Sequence, residues 1–308
     1  MVTRSVDNRQ GLTQIRTATS LGRATANFRP RAAADVKSRA VVLWHALLCT
    51  AAALNLVIWS LSALAVSHAQ SANHLHSSAA SLLQVLLAAG YVFGCAYRSV
   101  LPVYDIPRFV LVNSRLSSVM VGRSIATVAE LCFAAQWALV LHRMALLSNN
   151  QTGIAVSLLI VPLILLAEGC SWYAVLTTAQ RPHALENSIW GIGAALIIAG
   201  LLLMEPHRVA GLYLPMIAWC VGGAAYVAYI FLFDVPAYWS RWRADQASGR
   251  QYLSLAEGVI DAWRTRIVSY RWEIWKTEVL WMSLYFTLGA WSSISLVYAS
   301  IALGAQSN

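Results

Sequence analysis

Three ionisable residues lie deep inside long apolar runs, Arg123 and Glu130 in one run and Glu168 in the next. A charge at the centre of a bilayer costs about 2.5–3.5 kcal/mol on insertion scales, so such residues persist where they pair or do chemistry. Arg123, Thr127, Glu130, Ala134 and Trp137 recur at helical spacing and share one stripe of a helix. Glu168, Ser171, Trp172 and Val175 form a second stripe. Two acids against one base leave a surplus carboxyl. Either Glu130 or Glu168 is then expected to be held uncharged by its surroundings, as a proton-handling group must be. The plainer arrangement is an Arg–Glu pair that locks two helices, with a protonated Glu bonded to a neighbour.

Rise along a helix places Arg123 at about 9 Å, Glu168 at about 15 Å and Glu130 at about 20 Å from the same membrane face. The two runs are joined by a short loop and are expected to be antiparallel neighbours. Arg123 and Glu168 should therefore face one another, with Glu130 nearer the midplane. Both Glu residues sit in an Ala-Glu-x-Cys string, Ala129 to Cys132 and Ala167 to Cys170, which invites a metal-site reading. Residues two apart point about 200° away from each other on a helix, so the Cys and Glu of either string cannot share one ion.

The elements that must position these residues are seven apolar runs: 41–66, 79–97, 117–141, 154–178, 188–204, 212–233 and 279–303. Of 308 residues, 58% are hydrophobic and only 11% charged, against about 25% charged in soluble domains. The expected fold is an all-α integral membrane protein, a seven-transmembrane-helix bundle occupying residues 41–303. Continuous apolar runs exclude a membrane barrel, whose strands alternate.

Arg and Lys cluster before the first run and in the connections after the second, fourth and sixth, whereas only Arg143 and Arg208 lie near the alternate connections. The positive-inside rule then puts the N-terminus inside and the short tail 304–308 outside. Net charge +9 is thus accounted for by membrane topology rather than by nucleic acid. Residues 1–40 read as a basic cytoplasmic tail in preference to an organellar transit peptide, and the expected location is a bacterial inner membrane or a plasma membrane. Residues 251–278 read as one amphipathic helix on the inner surface, with Leu255, Val259, Ala262, Trp263 and Ile267 opposite Glu257, Asp261, Arg264 and Arg271. Trp272 and Trp275 are expected in the headgroup belt. A faint repeat, Tyr104-Asp105-Ile106-Pro107 and Phe233-Asp234-Val235-Pro236, marks two inner ends, although Asp and Pro commonly terminate helices.

Other chemistries lose their residues. The five cysteines all fall in apolar runs, which supports neither disulfides nor a loop zinc site. His74 and His76 share an outer loop but point apart if extended, and His45, His142, His183 and His207 form no paired ligand set, so haem, di-iron and zinc are not expected. The last run holds no Lys for a retinal Schiff base. Asn150-Gln151-Thr152 is a glycosylation sequon on the predicted outer side.

Three functions stay open. The first is a transporter or channel for an ion, proton or small anion, lined by Arg123, Thr127, Glu130, Glu168 and Trp172. The second is an enzyme acting on a lipid or isoprenoid, with a carboxyl as acid or base in a lateral cleft beside Glu168 and Tyr173. There, Arg108, Arg115, Arg241 and Arg243 would hold an anion or lipid headgroup. The third is a structural subunit using aromatic surfaces such as Trp281, Tyr285 and Trp291. Expected partners are membrane lipids, a small ion or lipid-like ligand, and a second copy of the chain.

Overall fold

A computed structural model describes residues 38–72, 78–204 and 211–306. The basic N-terminal segment, the His74/His76 loop, His207 and the end of the C-terminal tail lie outside the described residues. The chain forms α1 (Arg39–Ala72), α2 (Ser78–Val100), α3 (Val119–Leu147), α4 (Gln151–Thr177) and α5 (Gln180–Leu202). There follow α6 (Tyr213–Tyr229), α7 (Val235–Ala247), α8 (Leu255–Arg264), α9 (Trp272–Leu284) and α10 (Ala290–Gln306). A π-helical segment, Ile230–Asp234, joins α6 to α7, and another, Tyr285–Gly289, joins α9 to α10. Among the described residues seven helices are long and apolar enough to cross a membrane, counting α6–α7 and α9–α10 as one each. The protein is an integral membrane protein of helical type.

Several ends run past the hydropathy boundaries. The fifth helix starts at Gln180 rather than Ser188, the sixth runs on to Ala247 past Phe233, the seventh starts at Trp272 rather than Val279, the first continues to Ala72 and the third to Leu147. A hydropathy edge marks where side chains turn polar, whereas the backbone ladder continues until a cap or a breaker stops it. Local capping explains the tight α3–α4 hairpin. The Asn150 side chain accepts from Gly153 N at the start of α4, and the Ser118 hydroxyl does the same for α3 with Val121 N. In the folded chain the sequon's Asn150 serves as this cap, with its Nδ2 buried.

The long amphipathic helix is replaced by three pieces. Helix α8 is only ten residues, opened by a Ser254–Glu257 capping box and closed at Thr265, which takes an extended conformation. Bonds from the Ser254 hydroxyl and backbone N–H hold the Glu257 carboxyl below its usual range. The β-branched pair Ile267–Val268 then forms β3, which pairs in parallel with β2 (Phe109–Val110), itself antiparallel to β1 (Val103–Tyr104). The helical bundle thus carries one small sheet at its arginine-rich end. Trp275 is fully buried there and donates from Nε1 to the Ser269 carbonyl at 2.8 Å, so it is a core residue and not a headgroup anchor. The two Asp-Pro strings do not correspond: Tyr104–Pro107 forms the end of β1 and the turn after it, and Phe233–Pro236 lies inside a continuing helix.

Helix α8 is pressed on the end of α4 through Gly258. A Cβ there would stand 2.0 Å from the Leu176 carbonyl oxygen, which is backbone and cannot swing aside. Gly258→Ala is expected to lift α8 from α4 at a cost of about 1–3 kcal/mol, read as faster hydrogen exchange across 255–264 with the rest of the bundle unchanged.

The helices pack in sequence, α1 on α2, α2 on α3, α3 on α4, α4 on α5, and α5 on both α6 and α7, while α10 closes against α1, α2 and α3. An apolar core of α3, α4, α5, α6 and α10 side chains, including Leu141, Met144, Ile160, Ile164, Leu201 and Leu296, fills the half away from the arginine-rich end. Arg123 and the buried carboxyls Glu130, Glu168 and Glu186 lie outside this core.

Candidate functional site

Arg123 is 5% exposed, and its Nη2 donates to Glu130 Oε2 at 2.9 Å and to Glu168 Oε1 and Oε2 at 2.9 and 2.7 Å. The expected meeting of Arg123 with Glu168 across α3 and α4 is present, with Glu130 on the same guanidinium nitrogen. Thr127 binds Glu168 as donor, Oγ1 to Oε2 at 2.5 Å, and accepts from Trp172 Nε1 at 3.0 Å. A hydroxyl can serve both roles at once, so it fixes one carboxylate oxygen and one indole together. The α3 stripe and the α4 stripe form one hydrogen-bonded set.

The third carboxyl was not on either stripe. Glu186, on α5, places Oε1 3.7 Å from Arg123 Nη1, and its Oε2 is 2.8 Å from His183 Nδ1. His183 stacks on Tyr238 of α7 at 5.2 Å between ring centres, and the Arg241 guanidinium lies 5.3 Å over the same ring. On the opposite side Tyr285 donates to Glu130 Oε1 at 3.0 Å. Tyr285 opens the π-helical segment Tyr285–Gly289, and the wider turn brings this ring into the bundle. The same segment needs Gly289, because a Cβ there would meet the Tyr91 hydroxyl at 2.5 Å.

Helices α3, α4 and α5 and the π-helical segment before α10 therefore meet at one guanidinium and three carboxyls, and α7 reaches them through His183. Toward the arginine-rich end the polar set continues. Asp234 lies in the field of Arg241, Glu186 and His183, and Glu278 in that of Arg241, Asp105 and Asp234. Ionisable side chains thus extend from the end of the bundle to Arg123. At the centre, Arg123 Nε and Ser171 Oγ are buried without a hydrogen-bond partner among the described residues. Buried polar groups are rarely left so, and an unspent donor and hydroxyl suit a small polar ligand or water.

The remaining sequence candidates fall elsewhere. Tyr173 is half exposed and lines an outward groove of about 450 Å³ between α4 and α5, with Leu165, Leu166, Gly169, Cys170, Arg181, Pro182 and Leu185. The groove lies on the lipid side of α4, and Glu168 lies on the other side, 3% exposed. The expected lateral cleft beside Glu168 is thus corrected: a cleft exists, and it does not open on the carboxyl. The inner-face arginines do not form one group. Arg108 is buried and spends its donors on Asp261 Oδ2 at 2.9 Å and on the carbonyls of Asp105 and Val175 at 2.8 Å each. Arg115 lines a separate pocket with Trp263, Arg264 and Arg266, Arg241 caps Tyr238, and Arg243 is exposed. Trp281 and Tyr285 turn into the bundle, with Trp281 stacked on Tyr229 at 6.0 Å, so they are not a free aromatic surface.

Glu130 and Cys132 separate as helix geometry requires, with Cys132 Sγ against Gly90 of α2 while Glu130 faces Arg123. Among the described residues no group of three or more His, Cys, Asp or Glu side chains is placed to hold a metal ion. His183 and Glu186 stand three apart just before the fifth apolar run, and that spacing is the signal that could have drawn them in. The chain matches no protein-family model, no curated protein and no solved structure.

Proposed function

We propose that the protein is a proton-coupled membrane transporter whose cargo is a cation, with Arg123, Glu130, Glu168 and Glu186 as the exchange site. The observation that carries this reading is the imbalance at the site: one buried guanidinium is shared by three carboxyls from three helices. With all four groups ionised the cluster would carry two surplus negative charges in a low-dielectric setting, which is costly. Protons, or a cation in their place, supply the balance. An anion is disfavoured as cargo because the guanidinium already binds its own carboxyls. Asp234 and Glu278 toward the arginine-rich end extend the same negative field and give a cation a route inward. By the positive-inside rule that end faces the cytoplasm, and the N-terminus with it.

Two measurements test the proposal. A hydrophobic carbodiimide, which attaches to protonated carboxyls, is expected to label Glu130 or Glu186 in intact membranes at neutral pH, as read by peptide mass spectrometry. In proteoliposomes carrying an internal pH dye, a panel of alkali cations, divalent cations and primary amines should include one that moves protons. Glu130→Gln and Glu186→Gln should each return that signal to the level of empty liposomes. An unlabelled cluster together with no proton movement by any member of the panel would overturn the reading.

A further inference from the structure

The pocket lined by Arg115, Trp263, Arg264 and Arg266 belongs to none of the chemistry above. It has about 340 Å³ of space and opens outward beside the end of α3, with three guanidinium-bearing side chains and no acid among its lining. The nearest acids on α8 are engaged elsewhere: Asp261 holds Arg108 and Thr265, and Glu257 holds the α8 cap. Arg266 donates from Nη1 to the Trp263 carbonyl at 2.8 Å, and its Nε is buried with no hydrogen-bond partner among the described residues.

The segments that carry the lining decide the kind of ligand. Leu116 next to Arg115, Val259, Ile260 and Trp263 on α8, and Ile267 and Val268 after Arg266 are between 38% and 57% exposed. In water these exposed apolar side chains would be unfavourable, and three neighbouring guanidinium groups would repel one another. At the boundary of a membrane both are satisfied, with apolar groups and the indole among acyl chains and arginines at the phosphate level. Helix α8 is held at that level by Gly258 on the last turn of α4.

We propose that this pocket binds the phosphate of an anionic phospholipid from the leaflet at the arginine-rich end. Guanidinium forks match phosphate oxygens, and each arginine at a membrane surface contributes about fivefold in affinity. The full-length protein, purified in detergent, is mixed with phosphatidylglycerol, with phosphatidylcholine or with inorganic phosphate, and bound species are counted by native mass spectrometry. Phosphatidylglycerol is expected to be retained, and phosphatidylcholine and inorganic phosphate not. Arg264→Gln, at an exposed position, should weaken retention about fivefold, and Arg115→Gln/Arg264→Gln/Arg266→Gln about a hundredfold. Arg243→Gln, an exposed arginine outside the pocket, should leave it unchanged. Equal retention by wild type and the triple variant would overturn the proposal. An equal loss in Arg243→Gln would also overturn it, by showing a diffuse basic surface, and tight retention of inorganic phosphate would replace the lipid with a soluble anion.

Discussion

Replacing Arg123 with methionine is expected to destabilise the bundle by about 3–5 kcal/mol, the range found when one partner of a buried ion pair is removed. Methionine keeps the unbranched stem, so the loss reports charge and hydrogen bonds rather than a large cavity. It leaves Glu130, Glu168 and Glu186 without the guanidinium they share, and of the links between α3 and α4 it keeps the Thr127 bonds to Glu168 and Trp172. The deficit should shrink as the pH falls, because a protonated carboxyl needs no counter-charge. It should also shrink in Arg123→Met/Glu168→Gln, where the amide can still accept from Thr127. The measurement is the thermal unfolding midpoint of the detergent-solubilised protein across pH. A midpoint equal to wild type at neutral pH would show that the carboxyls do not depend on Arg123, and the exchange site would lose its centre. Glu130→Gln separates locking from exchange: it keeps the neutral Tyr285 contact and should retain much of the stability while losing proton movement.

How much of this is legible in the sequence depends on whether a residue's neighbours are local. Arg123, Thr127 and Glu130 share a stripe because α3 is a continuous helix, and Glu168 and Trp172 face them because a short capped turn forces α4 to run back alongside. Tyr173 shows the limit of that reasoning. It adjoins Trp172 in the chain but lies about 100° further round the helix, which turns it to the outer groove. Glu186 is hidden for a different reason: the fifth apolar run starts at Ser188, two residues too late, while the helix starts at Gln180. Tyr285 gives no local sign at all, since an aromatic in an apolar run looks the same whether it meets lipid or a carboxyl. The stretch 251–278 fails through period. Its apolar spacing continues past Arg264, but a cap at Thr265 and two β-branched residues hand the backbone to β2, and strands of two residues have no periodicity to read.

Arg108 carries the second large effect, and its loss should be structural. In sequence it looks like a surface cation at a membrane face; in the fold it is 2% exposed and ties three segments together. Its Nε holds Asp261 on α8, its Nη1 the Asp105 carbonyl in the turn after β1, and its Nη2 the Val175 carbonyl near the end of α4. Its backbone sits at φ 79°, in the left-handed region that a non-glycine residue keeps only when its surroundings hold it there. Arg108→Met would leave Asp261 with Thr265 and without its counter-charge and take the side-chain donor from two carbonyls, and the cost is expected at about 2–5 kcal/mol. Arg108→Lys should recover part of it, because an ammonium can reach one or two of the acceptors but not all three in a plane. The loss should be local before it is global. Trypsin is expected to cut Arg108→Met faster after Arg264 and Arg266, and amides of 105–111 and 255–270 should exchange faster, while α3, α4 and α5 around Arg123 keep their protection. Unchanged protection of 255–270 would show that Gly258 and the β2–β3 pairing suffice to seat α8 without the arginine. Were the carbodiimide labelling of Glu130 or Glu186 to change as well, α8 and the exchange site would be coupled through the six residues of α4 that separate Glu168 from Val175.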